Sequence, residues 1–497
     1  MWPLKLNTFH MNHNAFCSDK YQYTMSKTFM EIDLHKQTAV FNLFFRQAPD
    51  KNNWAVVSGI EEALATVQAL GGQPASFFEQ FLPGPAYAAF CERMASLRFT
   101  GDIWAMEEGE IAFPSQPLMI IKAPLVEAQL LETPLLCILN HQMAVATKAS
   151  RVTRSTSKPV SEFGSRRAHG PWAAEHGAKA AYIGGCANSS NILGQVCHGV
   201  PATGTMAHSF ITAFGCTPQQ EKTAFETYIR SHRGEPLILL LDTYDTLRSG
   251  IRNAIAAFKA QGIDDSYQPL YGVRLDSGDL AYLSQECRKL LDEAGLRGCK
   301  ITASNSLDEY LIVDLERQNA AIDFYGVGDA IATSKHNPCF GNVYKLVQIG
   351  EQPVLKRSED RGKLINPGFQ QTFRIMQDGE FRVDVTCLVG DSLSRAIMAG
   401  EDISLRDEMD GSKRSQFAAG IYSYNILQKK VMEGGRLIAP SKPTSEKRDY
   451  YLHNLSCLNP TERRLINPHY HKVDISDDLY TLKTRLLYEI QNQLSKD

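Results

Sequence analysis

Between about residues 200 and 335 the sequence repeats one form: a short apolar run, a polar cluster, then apolar residues spaced by three and four. Residues 237–241 read Leu-Ile-Leu-Leu-Leu, the continuous run expected of a strand buried on both faces. It stops at Asp242, and Leu247, Ile251, Ile255 and Phe258 then mark one face of a helix that Gly262 closes. The next unit predicts a strand over 271–275, a helical face of Leu280, Leu283, Cys287 and Leu290, and a stop at Gly295. A third has a strand over 300–303, and Ser306-Leu307-Asp308-Glu309 reads as a capping box opening its helix. Residues 323–327 predict one more strand. Strands that are apolar throughout and alternate with helices require a parallel sheet covered by those helices.

The polar residues fall just after each strand: Asp242 and Asp245, Arg274 and Asp276, Ser304 and Asn305, Gly326 and Gly328. Polar groups gathered at the carboxyl ends of successive parallel strands describe the active face of a β/α barrel. Loops that merely cap helices are the competing account, and four in succession, one with an arginine beside an aspartate, weigh against it. Outside this stretch the pattern changes. Residues 39–45, short runs within 101–124, 344–349 and 381–385 read as strands, 60–70 as a helix, and 479–494 as a terminal helix. The economical reading is a sheet-rich unit built from both ends of the chain around an inserted barrel. Its expected boundaries are 1–135 for the first part, 136–340 for the barrel, 341–400 for the return, and 401–497 for a charged C-terminal extension.

A chain of 497 residues exceeds one ordinary core. Its 52 Lys+Arg against 55 Asp+Glu argue against non-specific nucleic-acid binding, which needs a basic surface. No apolar run approaches the roughly 18 residues of a membrane span: residues 125–146 are interrupted by Glu127, Glu132 and His141. Lys5, His10 and His13 precede no apolar core, so no secretory signal is expected. Eleven cysteines, odd in number and without a Cys-x-x-Cys pair, read as free thiols in a reducing cytoplasm.

His208 sits just past a small-residue turn, Gly204-Thr205-Met206-Ala207. No metal-ligand spacing flanks it, whereas a neutral imidazole attacks phosphorus competently when a carboxylate fixes its tautomer. Asp242 is the expected orienter. Gly326-Val327-Gly328 could turn amides toward a phosphate; Ile331 at the third glycine position rules out a dinucleotide fingerprint, and no P-loop of the form G-x-x-x-x-G-K-[ST] occurs. Arg274 and Asp276, two apart on a strand end, point to one face; the arginine can cover a ring or a phosphate, and the carboxylate suits ribose hydroxyls or hydrated Mg²⁺. A plain internal ion pair is the alternative. Arg166-Arg167 could be solvated charge, and Phe163 ordinary core.

These clusters stand in an order that resembles the nicotinate phosphoribosyltransferases. The resemblance begins at Asp19-Lys20-Tyr21-Gln22-Tyr23-Thr24-Met25 and runs through 41–46, Glu132-Thr133-Pro134 and Glu162-Phe163-Gly164-Ser165-Arg166-Arg167. It continues through Gly184-Gly185, the His208 turn, Leu241-Asp242-Thr243-Tyr244-Asp245-Thr246, Ser304-Asn305-Ser306-Leu307-Asp308-Glu309 and Asn467-Pro468-His469.

It implies an irregular seven-stranded α/β barrel plus an open-faced α+β sandwich, and a homodimer with its active site at the interface. It implies the joining of nicotinate to phosphoribosyl pyrophosphate, with Mg²⁺ and with ATP hydrolysed through a phosphohistidine, the entry to NAD synthesis from nicotinate. His208 is then the phosphorylated residue and Asp242 its partner. Tyr21 (from the other subunit), Phe163, Arg166, Thr205 and Arg274 contact nicotinate. Asp276 contacts the ribose, Ser304, Asn305, Gly326, Gly328 and Asp329 lie at the phosphate, and Asp279 is a metal contact through water. Cys186-Ala187 departs from the family's usual aromatic or cysteine followed by an acid, and Asp329 from its usual threonine. A nicotinamide-specific relative of the same fold, or a sugar-phosphate barrel lyase or isomerase with His208 as acid/base, are the alternative readings.

Overall fold

The computed structural model describes residues 14–358, 364–408 and 410–495; Lys5, His10 and His13 lie outside the described residues. The chain is mixed α/β and divides into two units. One comprises Val145–Pro338 with Pro443–Arg448; the other comprises the chain up to Ala144, Cys339–Lys442, and the chain from Asp449 onward.

The Val145–Pro338 unit is built on a six-stranded sheet in the order Asn188–Ser189, Val160–Glu162, Phe324–Val327, Lys300–Ser304, Tyr271–Leu275, Leu237–Leu240. Every neighbouring pair is parallel. Leu237–Leu240 is buried along its whole length, as an apolar run covered on both faces must be. Ile251–Ala260, Leu280–Glu293 and Glu309–Arg317 are the crossover helices. Six strands are laddered rather than the expected seven. Beyond the Asn188–Ser189 edge the chain makes only an isolated parallel bridge, Ser189 to Ala202, because residues 200–203 carry Pro201, whose ring nitrogen cannot donate to a ladder.

Two local expectations shift. The cap of Glu309–Arg317 is Asp308, which accepts from Tyr310 N at 3.0 Å and Leu311 N at 2.9 Å; Ser306 is instead in left-handed backbone at φ 52°. The buried face of Leu280–Glu293 is Leu280, Ala281, Ser284, Cys287 and Leu291, with Leu283 and Leu290 half-buried.

The other unit holds a seven-stranded sheet: Gln352–Pro353, Asn342–Ile349, Thr38–Phe45, Met119–Pro124, Asp102–Ala105, Lys429–Glu433, Arg436–Leu437. A six-stranded sheet follows the order Arg414–Phe417, Ile403–Asp407, Val473–Ile475, Glu380–Leu388, Gln370–Gln377, Ser423–Ile426. Residues 401–497, set apart in the sequence as an extension, thus supply strands to both sheets. Phe373, Ile375, Val383, Val385 and Cys387 form a core with Leu393 and Ile397 of the helix Ser392–Ala399. On the opposite face of the same two strands Arg374 is buried between Asp384 and Glu110. All eleven cysteines are free thiols, and no helix among the described residues is long and apolar enough to cross a membrane.

Candidate active site

The loops after the parallel strands enclose a cleft of about 310 Å³ lined by Phe163, Ser165, Arg166, Ser190, Gly204, Thr205, Met206, Ala207, His208, Leu240, Arg274 and Asp276. Six residues expected from the sequence, Phe163, Arg166, Thr205, His208, Arg274 and Asp276, therefore line one cleft.

Arg274 organises it. Its Nε donates to Ser304 Oγ at 2.8 Å, Nη1 to Thr205 Oγ1 at 2.9 Å, and Nη2 to Asp276 Oδ1 at 3.0 Å. A guanidinium held on three edges cannot swing, so its plane is fixed in the cleft before a ligand arrives. Ser304 Oγ also donates to Asp276 Oδ1. Burial pushes the Asp276 carboxyl up, yet the Ser304 hydroxyl and the Arg274 charge outweigh it and hold it below the usual range. Arg166, by contrast, is exposed on the cleft wall and makes no ion pair with any described residue.

His208 opens the short helix His208–Thr212 and is 44% exposed at its side chain. Its Nδ1 lies 3.1 Å from Thr243 Oγ1, and its Nε2 lies 3.8 Å from Asp276 Oδ2. The expected orienter, Asp242, is not the group against the ring: the Ser277 hydroxyl, from the loop after the next strand, donates to Asp242 Oδ2 and holds that carboxylate. The carboxylate facing the imidazole is Asp276. Asp242 Oδ1 is buried with no hydrogen-bond partner among the described residues.

Gly326 is required where it stands, because a Cβ there would come within 2.5 Å of the Phe163 ring. Gly328 has a Cβ direction 3.2 Å from Phe163 O. Asn305 is left-handed at φ 80°, a turn that asparagine tolerates better than most residues. Asp329 opens the helix Asp329–Ala332. Asp279 is exposed and caps Leu280–Glu293 by accepting from Tyr282 N at 3.1 Å. Tyr21 belongs to the other unit, on Lys20–Glu31, and is 46% exposed. Of the 186–191 stretch only Ser190 lines the cleft; Cys186 is fully buried, and Asn191 caps the helix Ile192–His198 while donating to Ser165 Oγ at 3.0 Å.

Thr243 carries no sequence signal of its own, because the carboxylate beside it, Asp242, is the stronger candidate partner for an imidazole. Glu162 stands in the sequence at the head of the Glu162–Arg167 segment, but nothing in that segment marks it for a role. In the other unit, a cavity of about 160 Å³ is ringed by Arg46, Lys345 and Lys356. Burial and the other two cations lower the Lys345 ammonium, though Glu132 works the other way. No periodicity joins these three positions.

Comparison with known proteins follows the same lines. The family models of the nicotinate phosphoribosyltransferase (NAPRTase) N-terminal and C-terminal domains match residues 16–140 and 369–483. The chain is 36% identical to the nicotinate phosphoribosyltransferase of Bacillus subtilis (strain 168), over 97% of this chain and 96% of that one. It is 31% identical to that of Homo sapiens, over 94% and 96%. A crystal structure of human nicotinic acid phosphoribosyltransferase superposes with a TM-score of 0.81 at 28% identity, covering 95% of this chain and 99% of that one.

Proposed function

The chain belongs to the nicotinate phosphoribosyltransferase family, and from that premise we propose how its cleft performs the transfer. The enzyme makes nicotinate mononucleotide and pyrophosphate from nicotinate and phosphoribosyl pyrophosphate, the entry to NAD synthesis from nicotinate. The observation that carries the pose is Arg166, a guanidinium that makes no ion pair with any described residue, on the wall of a cleft whose other arginine is fully engaged.

Nicotinate lies between Phe163 and the fixed plane of Arg274, with its carboxylate on Arg166 through charge-assisted hydrogen bonds. Tyr21 of a second copy completes this site in a homodimer. Asp276 takes the ribose hydroxyls, and the loops at Ser304-Asn305, Gly326, Gly328 and Asp329 take the 5′-phosphate. The ring nitrogen then attacks C1 of the donor as the C1–O bond to pyrophosphate breaks, with both electrons leaving on pyrophosphate. A pyridine nitrogen is a weak nucleophile, so the rate rests on positioning and on stabilising a cationic ribosyl transition state.

His208 accepts the γ-phosphoryl group of ATP, releasing ADP, and water later cleaves the phosphohistidine. Thr243 and Asp276 hold the ring for this step. The buried, unpartnered Oδ1 of Asp242 fits a hard cation's preference for oxygen. Asp242 would hold Mg²⁺ or its waters, which when bound offsets charge on pyrophosphate. Asp279 is less suited, since its carboxylate caps a helix. Residues 200–203 fill the seventh place of the barrel, next to the Ser189 bridge. The site works in the cytoplasm, where the free thiols are stable.

The test is mononucleotide formation from nicotinate and phosphoribosyl pyrophosphate, with and without ATP. Product should form and ATP should increase it. Label from γ-labelled ATP should stay on the parent chain and be absent from His208→Ala. Equal labelling of both would remove His208 from the scheme.

A further inference from the structure

Glu162 is a buried ionisable group beside the cleft that the transfer chemistry does not use. It ends the strand Val160–Glu162 and is 3% exposed. It makes no ion pair with any described residue; its partners are all neutral. One oxygen accepts from Gly164 N, and Oε2 accepts from Ser189 Oγ at 2.6 Å. Burial raises its carboxyl, against the pull of the Ser189 and Gly164 bonds.

These bonds form a closed ring between two loops. Ser189 Oγ accepts from Asn191 N at 3.0 Å, and Asn191 Nδ2 donates to Ser165 Oγ at 3.0 Å. The backbone repeats the link, since Ser190 N donates to the Glu162 carbonyl at 2.9 Å. One loop carries Phe163, Ser165 and Arg166; the other carries Ser190; all four line the cleft. Space behind the ring is closed as well: a Cβ on Gly164 would lie 2.5 Å from Ala332 Cβ and 2.7 Å from Glu162 Oε1. A buried carboxylate with no cation is a poor device for stability, because an apolar residue of similar volume avoids its desolvation. Two acceptor oxygens on one rigid group are, however, what two donor-bearing loops need to be held at one spacing.

We propose that Glu162 is a positioning residue for the acceptor base, setting the gap between the Phe163–Arg166 loop and the Ser189–Asn191 loop into which nicotinate fits. It touches neither substrate nor reacting atoms. The inference rests on the nicotinate pose proposed above. Glutamine keeps the shape but replaces the charged acceptor by a neutral amide, whose Nε2 can meet Ser189 Oγ only as a donor, so the charge-assisted bonds of the ring are replaced by weaker neutral ones.

The experiment is steady-state kinetics on full-length Glu162→Gln and Ser189→Ala, with Arg166→Ala in parallel. For Glu162→Gln the nicotinate KM should rise about tenfold, while kcat and the phosphoribosyl pyrophosphate KM stay within about threefold. Ser189→Ala removes both bonds that Ser189 Oγ makes in the ring, the one to Glu162 and the one from Asn191 N, and should show the same split at about tenfold, should Glu162→Gln fold poorly. The double variant should fall short of the product of the singles, because they share a bond. The inference is overturned if kcat and both KM values change together in step with a loss of Tm, or if nicotinate KM is unmoved in Glu162→Gln and Ser189→Ala but raised in Arg166→Ala. If Arg166→Ala is also without effect on nicotinate KM, the pose itself is wrong and the inference goes with it.

Discussion

Arg374–Asp384 and Arg274–Asp276 are the same two side chains in different surroundings. Arg374 meets Asp384 on two edges, Nε to Oδ1 at 2.9 Å and Nη2 to Oδ2 at 2.7 Å, and its Nη1 reaches Glu110. Its guanidinium carbon sits 4.1 Å from the Phe381 ring centroid. The side chains are 1% and 0% exposed. Gln116 Nε2 donates to Asp384 Oδ2 at 2.6 Å, and the His471 ring lies 3.6 Å from Oδ1. Nothing is left over for a ligand. Arg274 and Asp276 are 13% and 20% exposed at the mouth of a cleft. There the arginine is held on three edges, but Asp276 keeps Oδ2 toward His208. The first pair fastens a sheet; the second holds a shape and leaves one oxygen for chemistry.

The largest expected effect separates the two. Arg374→Ala leaves Asp384 and Glu110 buried without their cation and should cost about 3–5 kcal/mol of stability, read in urea unfolding. Arg274→Ala should cost stability of only about 1–2 kcal/mol, because the cleft admits water to the groups it strands. Similar losses in both variants would break the comparison.

Activity should show the reverse. Arg274→Ala is expected to lower kcat/KM for nicotinate about a hundredfold or more, since it removes both the plane over the ring and the anchor of Thr205, Ser304 and Asp276. A conservative Asp384→Asn chain that still folds should keep kcat/KM within about threefold.

His471 of the first region and Asp276 of the second should lose their contributions in opposite pH windows. Burial alone would push the His471 imidazolium down; the Asp384 and Glu462 carboxylates outweigh it and hold it above its ordinary range. Such a group adds stability that is fully present below its unfolded value of about 6.5 and lost as pH rises through the folded one. The stability gap between the parent and His471→Gln should therefore narrow as pH climbs above neutrality. Asp276 is held low, so its contribution is present above its unfolded value, about 3.9, and lost only as pH falls through the folded one. Asp276→Asn should leave the slope of stability against pH unchanged on the alkaline side.

Much of the second region was legible in the sequence, because parallel strands announce themselves. The apolar run ending at Asp242 and the cluster after 275 gave both the strand and the loop that faces the cleft. The first region was harder. Arg374 stands in a strand whose next polar partner is ten residues on and whose third, Glu110, is far away in the chain; pairing of that kind has no period. Within the cleft, residue types were readable but rotamers were not. Asp242 lies one residue before Thr243, and only the position of Ser277 decides which of the two turns to His208. Ser306 and Asp308 both suit a helix start, and the left-handed turn at Asn305-Ser306 moves the cap two residues on.

The smallest effect tests the comparison at the level of one hydroxyl. Thr243 Oγ1 lies 3.1 Å from His208 Nδ1 in the cleft. In the other unit, the Thr372 and Thr386 hydroxyls meet at 3.3 Å in a buried sheet. Valine replaces either threonine without change of shape, so each substitution removes one hydrogen bond of about 0.5–1.5 kcal/mol net. At Thr243 that loss frees the imidazole to turn away from the phosphoryl donor. Labelling of the chain by γ-labelled ATP should slow by about three- to tenfold, with unfolding in urea shifted by less than about 0.5 kcal/mol. Thr243→Ser, which restores the hydroxyl, should recover most of the rate. Thr372→Val should give the opposite record: a stability loss near 1 kcal/mol, because Thr386 Oγ1 loses its partner in a buried sheet, and an unchanged labelling rate. If Thr243→Val labels at the parent rate while Asp276→Asn does not, the carboxylate alone orients the ring, and Thr243 belongs with Thr372 as a hydroxyl that serves packing.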